Sequence, residues 1–439
     1  MNTPICDLIG KYAGNDPIRL HMPGHKGFCD PRDITEITGA DVLYHPDGII
    51  LESEENAASL FGTARTVYST EGASLCIRAM VDLSSLLAGG KRRARILAAR
   101  NAHKTFVTAC ALLDVDIIWL RSEIGGLISC PVDAENVGDA IKKYRPDAVY
   151  LTSPDYAGNL QDIAAISAVC RRHSVVLAVD NAHGAYLKFL PESRHPIDLG
   201  ADICCDSAHK TLPVLTGGAY LHISDTAPSL FTERADGAMS LFASTSPSYL
   251  ILGSLDAANA VMANGFSGQI SECAGRIAEL KTHLTSHDFT VISDEPLKLT
   301  LMTKAFGYTG QEVAGYLEER GIFCEFADPD MLVMMFSPMN RKNDFSAVRD
   351  ALCRLEKREP ILTRPPVPEI AEVAMTPHEA IMSVSEDTPV TEAVGKILAD
   401  ISVTCPPAVP VLICGERIGC QSVKCFEYYG ITSVKTVIE

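Results

Sequence analysis

Short apolar segments alternate with segments of helical periodicity between about residues 94 and 224, and this alternation constrains the fold more than any other feature. The apolar segments have the length and branched composition of buried strands. Such alternation is typical of a mostly parallel sheet with helices on both faces. Ligands bind outside the carboxyl ends of the strands in these sheets, so we look for chemistry just after each strand. The predicted strands are RARILAAR (93–100), VDIIWL (115–120), DAVYLTS (147–153), VVLAVDNA (175–182), ADICCDS (201–207) and GAYLHIS (218–224).

Four regions are predicted along the chain. Residues 1–45 form an N-terminal arm, in which HMPGHKG (21–27) is too rich in Pro and Gly for a regular helix or strand. Residues 46–265 form the large domain with the sheet. Residues 266–360 form a small α/β domain, with strands at FTVISD, KLTLMT, FCEFAD and MLVMMFS. Residues 361–439 comprise a proline-rich linker and a short C-terminal domain.

Charge and composition exclude several classes of function. The chain has 439 residues, of which 38 are basic and 55 acidic, giving a net charge of −17. Such a surface repels phosphate backbones and anionic lipid, so we expect no nucleic-acid or membrane partner. We see no apolar run of the roughly 18 residues that a membrane helix needs and no secretory signal, and therefore expect a cytoplasmic protein. The fifteen cysteines form no C-x-x-C pair, so we expect free thiols and no metal site.

The segment SAHKT (207–211) follows a predicted strand and contains Lys210. Burial at the carboxyl end of a strand lowers the pKa of a lysine and frees its amine to form an imine with an aldehyde. A surface lysine in a loop is the alternative.

The preceding strand ends at Asp180, in VDNAHGAY (179–186). Pyridoxal phosphate needs a carboxylate beside its ring nitrogen, because the protonated ring is the electron sink. Asp180 suits that role, and a helix N-cap or a magnesium ligand are its alternatives.

A candidate phosphate site lies in YSTEGASLCIRAM (68–80), where Gly72, Ala73 and Ser74 open a predicted helix. Backbone N–H groups and the helix dipole favour an anion at such a position. Glu71 is an obstacle, since two like charges about 4 Å apart repel by about 4 kcal/mol at an effective dielectric of 20. Its side chain must therefore point away, pair with a cation, or mark a different anion geometry.

Two further strand ends carry side chains suited to a site. His103, in RNAHKT (100–105), can stack on a pyridine ring and relay protons, or simply hydrogen-bond at the end of its strand. Tyr156 and Gly158, in TSPDYAG, close another strand at the same predicted edge.

Taken together, these motifs resemble those of the Orn/Lys/Arg decarboxylases. The resemblance extends in order over nearly the whole chain. It implies the pyridoxal-phosphate-dependent transferase fold type I: an α/β architecture with a mostly parallel seven-stranded sheet, helices on both faces, and a smaller C-terminal α/β domain. The segments that carry it are HMPGHKG, HPDGI, RNAHKT, TSPDYAG, DNAHGAY, SAHKTLPVLTGGAYLH, STSPSYLILGSLD, MTPHEAI, VTEAVGKI and CPPAVPVLICGERI.

The resemblance also implies roles for individual residues. Lys210 would hold pyridoxal 5'-phosphate as a Schiff base, Asp180 would bind the pyridine nitrogen, and His103 would stack on the ring. His183 would lie close to the ring and to Asp180. Residues expected around the phosphate are Ala73, Ser74, Ser207 and His209.

The family's sites form at a dimer interface, so a homodimer with shared active sites is implied. Thr245 and Ser246, in STSPSY, would reach the phosphate or substrate of a neighbouring subunit. His25 and Lys26 of the arm would contribute to the same interface.

Three positions depart from the family's pattern. Glu71 stands where the family usually has asparagine, and Leu75 replaces a common small hydroxyl residue. Asp155 replaces a usual threonine, and its carboxylate would face a cationic substrate or solvent. The chain resembles the compact branch of the family that lacks a wing domain.

The resemblance implies α-decarboxylation of a basic amino acid to a polyamine or its precursor, with arginine favoured over lysine and ornithine. Lys210 or His103 would return a proton to the Cα. The carboxylate that pairs with the distal cation of the substrate stays open among Asp155, Glu52 and Glu416.

Two other functions remain open at this stage, because a fold does not settle an activity. One is aminotransfer or another lyase reaction, for which Arg341, Arg354 or Arg364 would anchor the substrate carboxylate. The other is a catalytically silent regulatory relative.

Overall fold

The computed structural model describes residues 1–120, 129–404 and 409–438. These residues divide into two compact units. The first comprises Met1–Leu97, Ala134–Ser153 and Asp162–Gly268, and the second comprises Ala98–Asp133, Pro154–Gln161 and Gln269–Glu439.

Seven strands form the main sheet, in the order β1-β7-β6-β5-β4-β2-β3. The pairs β4–β5 and β5–β6 are parallel, whereas β7 is antiparallel to both β1 and β6. Strands β1, β4, β5 and β6 therefore run in one direction and β7 runs against them, which confirms the predicted mostly parallel sheet. The strands are β1 (Arg65–Ser69), β2 (Arg95–Ala99), β3 (Asp116–Leu120), β4 (Ala148–Thr152), β5 (Val176–Asp180), β6 (Ile203–Asp206) and β7 (Ala219–Ile223).

All six strands predicted from the alternating pattern are present, and β1 is added. Every residue of β5 is buried, as expected where a strand is covered on both faces, because its sequence is then a continuous apolar run. The helices are α1 (Pro4–Gly14), α2 (Ile49–Phe61), α3 (Ala73–Leu86), α4 (Lys104–Leu112), α5 (Ala134–Tyr144), α6 (Ile163–Arg172), α7 (Ala208–Thr211), α8 (Ser229–Ser240), α9 (Tyr249–Ala263), α10 (Phe266–Ser286), α11 (Gly310–Glu318), α12 (Lys342–Cys353), α13 (Pro377–Met382) and α14 (Cys420–Tyr428).

The second unit contains a four-stranded antiparallel sheet in the order β10-β11-β9-β8. Its strands coincide with the four segments predicted for the small domain, and its middle strands β9 and β11 are almost entirely buried. The strands are β8 (Thr290–Val291), β9 (Lys298–Met302), β10 (Phe326–Ala327) and β11 (Met331–Met335).

The C-terminal part of the second unit has a small core of its own, which includes Leu398, Leu412 and Phe426. Two pairs of strands surround this core: β12 (Ser385–Pro389) with β15 (Ser433–Val437), and β13 (Ser402–Thr404) with β14 (Pro410–Ile413). The proline-rich segment 358–372 forms neither helix nor strand.

The N-terminal arm contains a helix for which the sequence analysis made no prediction. Residues 21–27 are irregular, as expected, but the arm begins with helix α1, which buries Ile5 and Ile9. Across the described ranges, we find no helix with both the length and the apolar character needed to cross a lipid bilayer.

Candidate active site

Lys210 lies on a single helical turn that follows β6. The turn α7 begins directly after Ser207, and the Lys210 amide donates to the Ser207 carbonyl at 3.0 Å. The side chain is partly buried, and its Nζ lies 2.9 Å from Nε2 of His183, a residue that is only 6% exposed. The alternative of a surface lysine in a loop is therefore wrong.

Asp180 is the last residue of β5 and is 2% exposed. Its Oδ1 accepts a hydrogen bond from the Ala182 amide at 3.1 Å, and its Oδ2 accepts one from the Tyr150 hydroxyl at 3.3 Å. Strand β5 pairs in parallel with β6, with Asp180 opposite Cys205. Asp180 and Lys210 thus follow neighbouring parallel strands at the same sheet edge, and His183 joins the two segments.

Asp206 is a buried carboxylate at the end of β6 that sequence reasoning missed. It is fully buried and accepts three hydrogen bonds from side chains. Nε2 of His195 and Nε2 of His222 lie 3.0 and 3.2 Å from Oδ2, and Nδ2 of Asn181 lies 2.6 Å from Oδ1. Because Asn181 follows Asp180 and Asp206 precedes Ser207, this cluster ties together the two strand ends that carry the candidate site.

Electrostatics favour an ionised Asp206 beside neutral His222. Burial opposes ionisation of Asp206, but the charge and hydrogen bond of His195, together with the hydrogen bond from His222, hold the pKa of the carboxyl well below its ordinary value. Burial lowers the pKa of His222, although its hydrogen bond to Asp206 acts in the opposite direction. Its other ring nitrogen, Nδ1, lies 2.9 Å from the Thr66 hydroxyl.

The predicted phosphate residues lie on two loops that meet at Gly217 and Gly218. Helix α3 begins after Gly72, whose φ of 73° is in the left-handed region that favours glycine. The Gly72 amide donates to the Gly217 carbonyl at 2.7 Å, and His209 Nδ1 donates to the Gly218 carbonyl at 3.0 Å. A Cβ at Gly217 would lie 2.8 Å from the Thr70 carbonyl oxygen, so the loops approach too closely for any other residue.

Ala73 and Ser74 therefore lie at the start of α3, on one side of this glycine turn, and Ser207 and His209 lie on the other. Ala73 and Ser207 are buried, whereas Ser74 and His209 are partly exposed. The structure brings the two predicted halves of the phosphate site together within the first unit.

Glu71 is exposed and points to a neighbouring loop. Its Oε1 accepts a hydrogen bond from the Ser244 amide at 2.7 Å, and the Ser246 amide in turn donates to the Ser244 hydroxyl at 3.1 Å. The carboxylate is thus directed to the loop that carries Thr245 and Ser246, both of which are exposed. Contact of these two residues with a neighbouring subunit stays a prediction.

His103 belongs to the second unit, where it caps the start of α4. Its Nδ1 accepts a hydrogen bond from the Thr105 amide at 3.2 Å, and the residue is exposed. Its predicted stacking on a cofactor ring is untested. In the arm, His25 Nε2 lies 3.0 Å from Asp33 Oδ2, and the role of His25 and Lys26 at an interface is likewise untested.

The structure contradicts the expectation that Asp155 faces solvent, whereas contact of its carboxylate with a substrate stays a prediction. Asp155 is 2% exposed, and its carboxylate accepts hydrogen bonds from the Asn159 amide at 2.8 Å and from the Asn159 side chain at 3.1 and 2.9 Å. A tight turn needs this acceptor, since aspartate side chains commonly bond the backbone a few residues on. The carboxylate therefore stabilises its own loop.

The other two candidate carboxylates also have partners within the chain. Both oxygens of Glu416 bind Arg100, at 2.6 and 2.7 Å, and Oε2 also accepts from the Ile413 amide at 2.9 Å. Glu52 accepts a hydrogen bond from the Asn2 side chain.

A sequence model described as "Orn/Lys/Arg decarboxylase, major domain" matches residues 31–294, and one described as the C-terminal domain of the same family matches residues 362–435. The uncharacterised protein YaaO of Bacillus subtilis (strain 168) is 30% identical, over all of this chain and 96% of its own length.

An arginine decarboxylase of the same Bacillus subtilis strain is also 30% identical, over 95% of this chain and 91% of its own length. Relatives named arginine decarboxylase are 26–30% identical to the chain, whereas those named lysine decarboxylase are 22–23% identical. Among solved structures, the constitutive lysine decarboxylase of E. coli matches with a TM-score of 0.79 at 19% identity, covering all of this chain and 82% of its own. The structural match shows a shared fold.

Proposed function

Since the chain belongs to the Orn/Lys/Arg decarboxylase family, we propose that it is a decarboxylase that removes the α-carboxyl group of a basic amino acid. The product is a polyamine or its precursor. Arginine is the favoured substrate among arginine, lysine and ornithine. The relatives named arginine decarboxylase are more similar to this chain than those named lysine decarboxylase, which supports arginine over lysine.

The residues at the sheet edge fit pyridoxal 5'-phosphate. An amine, a buried carboxylate and a helix start with a glycine turn are what an aromatic aldehyde phosphate with a basic ring nitrogen requires. When bound, this cofactor accepts the electron pair that is left on the Cα as carbon dioxide departs. Lys210 would hold its aldehyde carbon, Asp180 its ring nitrogen, and His103 the face of its ring.

Lys210 and His183 form the nucleophilic part of the site. The lysine must lose a proton before its amine can attack an aldehyde. His183 lies 2.9 Å away and is almost fully buried, so one partner holds the amine in place. After the loss of carbon dioxide, Lys210 or His103 would return a proton to the Cα of the substrate.

Asp180 would keep a proton on the ring nitrogen of the cofactor. Its two oxygens are held by the Ala182 amide and the Tyr150 hydroxyl, so the carboxylate cannot rotate away from the sheet edge. The hydrogen bond between Asn181 and Asp206 fixes the next residue of the same segment. Preorganisation of this kind avoids a reorganisation cost during the reaction.

The phosphate subsite consists of Ala73, Ser74, Ser207 and His209. The first N–H groups of a helix lie outside its own hydrogen-bond pattern, and the helix dipole favours an anion there. His209 donates its Nδ1 proton to the Gly218 carbonyl, so its other ring nitrogen, Nε2, points away from Gly218. The carboxylate of Glu71 is directed to the Ser244 amide, which fits the expectation that its side chain points away from the phosphate.

The enzyme would act as a cytoplasmic homodimer with shared active sites. Thr245 and Ser246 are exposed on a loop of the first unit, where a second subunit can reach them. His25 and Lys26 of the arm are the further residues expected at that interface.

The single observation that carries the proposal is the arrangement of Lys210 beside His183 at the strand edge that ends in Asp180. The test measures carbon dioxide release by the purified chain with pyridoxal phosphate and arginine, lysine or ornithine, without a keto acid. We expect release that is abolished in Lys210→Ala and unchanged in Lys142→Ala, which removes an exposed lysine.

Two outcomes would contradict the proposal. If turnover required a keto-acid acceptor, the reaction would be aminotransfer. If borohydride treatment of the loaded protein attached no cofactor to Lys210, as read from the peptide mass, the chain would be a silent relative.

A further inference from the structure

Three side chains with metal-binding atoms converge on the surface of the second unit. His283 lies in the last turn of α10, His287 lies in the turn that follows, and Cys353 is the last residue of α12. Their nearest ligand atoms all lie within 4.8 Å of one another. Both histidines are exposed and Cys353 is partly buried, so a solvated ion can reach all three.

The spacing of the two histidines places them together. Residues four apart on a helix are neighbours on one face, and the two rings have their centroids 4.4 Å apart at 34°. In tetrahedral zinc sites the metal lies about 2.0 Å from nitrogen and about 2.3 Å from sulfur. Neighbouring ligand atoms are then roughly 3.3–3.7 Å apart, so the side chains need to move by only about 1 Å.

A backbone hydrogen bond prepares His287 for this role. Its Nδ1 lies 2.9 Å from the His283 carbonyl oxygen, which can only accept, so Nδ1 must carry the proton. The tautomer leaves the lone pair on Nε2, where a metal can bind. Histidines that ligate metals almost always donate their other ring N–H to a carbonyl or carboxylate in this way.

We propose that His283, His287 and Cys353 form a binding site for a thiophilic divalent transition metal, with zinc as the principal ion. Two imidazoles and a thiolate are ligands that zinc prefers, whereas magnesium and calcium require oxygen ligands. The fourth position is open to water. Bound metal would join the C-terminal ends of α10 and α12 and so stabilise the second unit.

The other histidine cluster, His195, Asp206 and His222, lacks this capacity, although its ligand atoms are similarly close. There each Nε2 lies at hydrogen-bond distance from one carboxylate oxygen. The rings therefore donate protons to Asp206, and these nitrogens have no lone pair for a metal.

The test is a zinc titration of the untagged full-length protein after removal of metals, in competition with a chelating dye. We expect one zinc ion per chain, with the affinity lowered at least tenfold in Cys353→Ser and in His287→Gln. Cys420→Ser is the matched control, since Cys420 is an exposed free thiol of the same unit and should leave the affinity unchanged. Cobalt in place of zinc should give a thiolate charge-transfer band that disappears in Cys353→Ser.

A melting curve recorded without metal distinguishes lost ligation from lost folding. Both variants should melt with the wild type, because His287 is exposed and serine replaces the partly buried Cys353 with a side chain of nearly the same size. The proposal is overturned if the wild type takes up less than one zinc ion per chain, or if either variant binds within tenfold of it. It is also overturned if Cys420→Ser weakens binding as much as Cys353→Ser does.

Discussion

Replacing Asp206 by asparagine tests whether the buried cluster at the end of β6 holds the active-site strands. Asparagine keeps the shape but offers one acceptor oxygen in place of two. If its amide faces the histidines, the Nε2–H of His195 meets a donor in place of the acceptor Oδ2. That proton then has no partner on Nε2, and Nδ1 is also buried without a hydrogen-bond partner. If its amide faces Asn181, that side chain must flip and leave its own buried N–H groups unpaired, because the present position of Oδ1 has no partner either.

Each arrangement therefore leaves at least one buried donor unsatisfied, which costs about 1–3 kcal/mol. We expect the free energy of unfolding, measured by urea denaturation, to fall by that amount in Asp206→Asn. The strand ends at Asp180 and Lys210 would lose their common support. A misplacement that costs about 1.4 kcal/mol in the transition state lowers the rate tenfold, so we expect carbon dioxide release to fall at least tenfold.

Asp198→Asn is the matched control for this experiment. Asp198 also binds a lysine and a serine side chain in the first unit, but its side chain is 31% exposed. Solvent screens such a pair, so the change should cost less than about 1 kcal/mol and leave the rate of decarboxylation unaffected. If Asp206→Asn matched the wild type in both stability and rate, the cluster would have no positioning role.

Three further predictions concern the second unit, the phosphate loop and acid stability. Glu416→Ala leaves Arg100 without its bidentate partner, at a site where the Arg100 and Glu416 side chains are 20% and 6% exposed. The free energy of unfolding, measured by urea denaturation, should therefore fall by about 3 kcal/mol. Glu386→Ala breaks an exposed pair with Lys396 and should change this free energy by less than about 1 kcal/mol. Glu71→Ala removes the acceptor of the Ser244 amide, so limited proteolysis of the 242–247 loop should become several-fold faster, whereas Glu71→Gln keeps an acceptor and should resemble the wild type. Burial lowers the pKa of His222 in the folded protein, so the unfolded chain binds more protons at this residue than the folded protein does. The stability due to neutral His222 is therefore present above about pH 6.5, the ordinary pKa of histidine, and is lost as the pH falls through the lowered pKa of the folded state. Urea denaturation between pH 7 and 5 should show this loss, and His222→Gln should give a shallower slope; an equal slope would show that another group is responsible.

The fold and the two central site residues could be predicted because they depend on local sequence patterns that correspond to elements of the structure. Strands buried on both faces must be short apolar runs, so β2 to β7 could be recognised by their composition. Parallel strands end at the same edge, so Lys210 and Asp180 could be placed together without coordinates. Strand β1 was missed, since its sequence, RTVYS, is short and carries polar residues.

Side-chain partners were predicted less well than positions. Asp155 carried a charge in a motif near the predicted site, and the sequence contained no sign that Asn159 would bind it from within the same turn. Glu71 raised an electrostatic problem, and the structure directs its carboxylate to the amide of Ser244, which lies far along the chain. In both cases the charged residue was identified correctly. The direction of its side chain, however, depends on the course of the backbone, which residue types alone do not determine.

By itself, the sequence determined the alternation of strands and helices from β2 to β7, the family, and the identity of the amine and acid at the sheet edge, because periodicity and motifs are local properties of a chain. Only the tertiary structure decided which buried groups surround them. His195, Asp206 and His222 come from a loop and two strands, and His283 and Cys353 from two helices distant in sequence. Distances across a folded core depend on how all the elements pack together, and the pattern of residues along the chain does not contain that information.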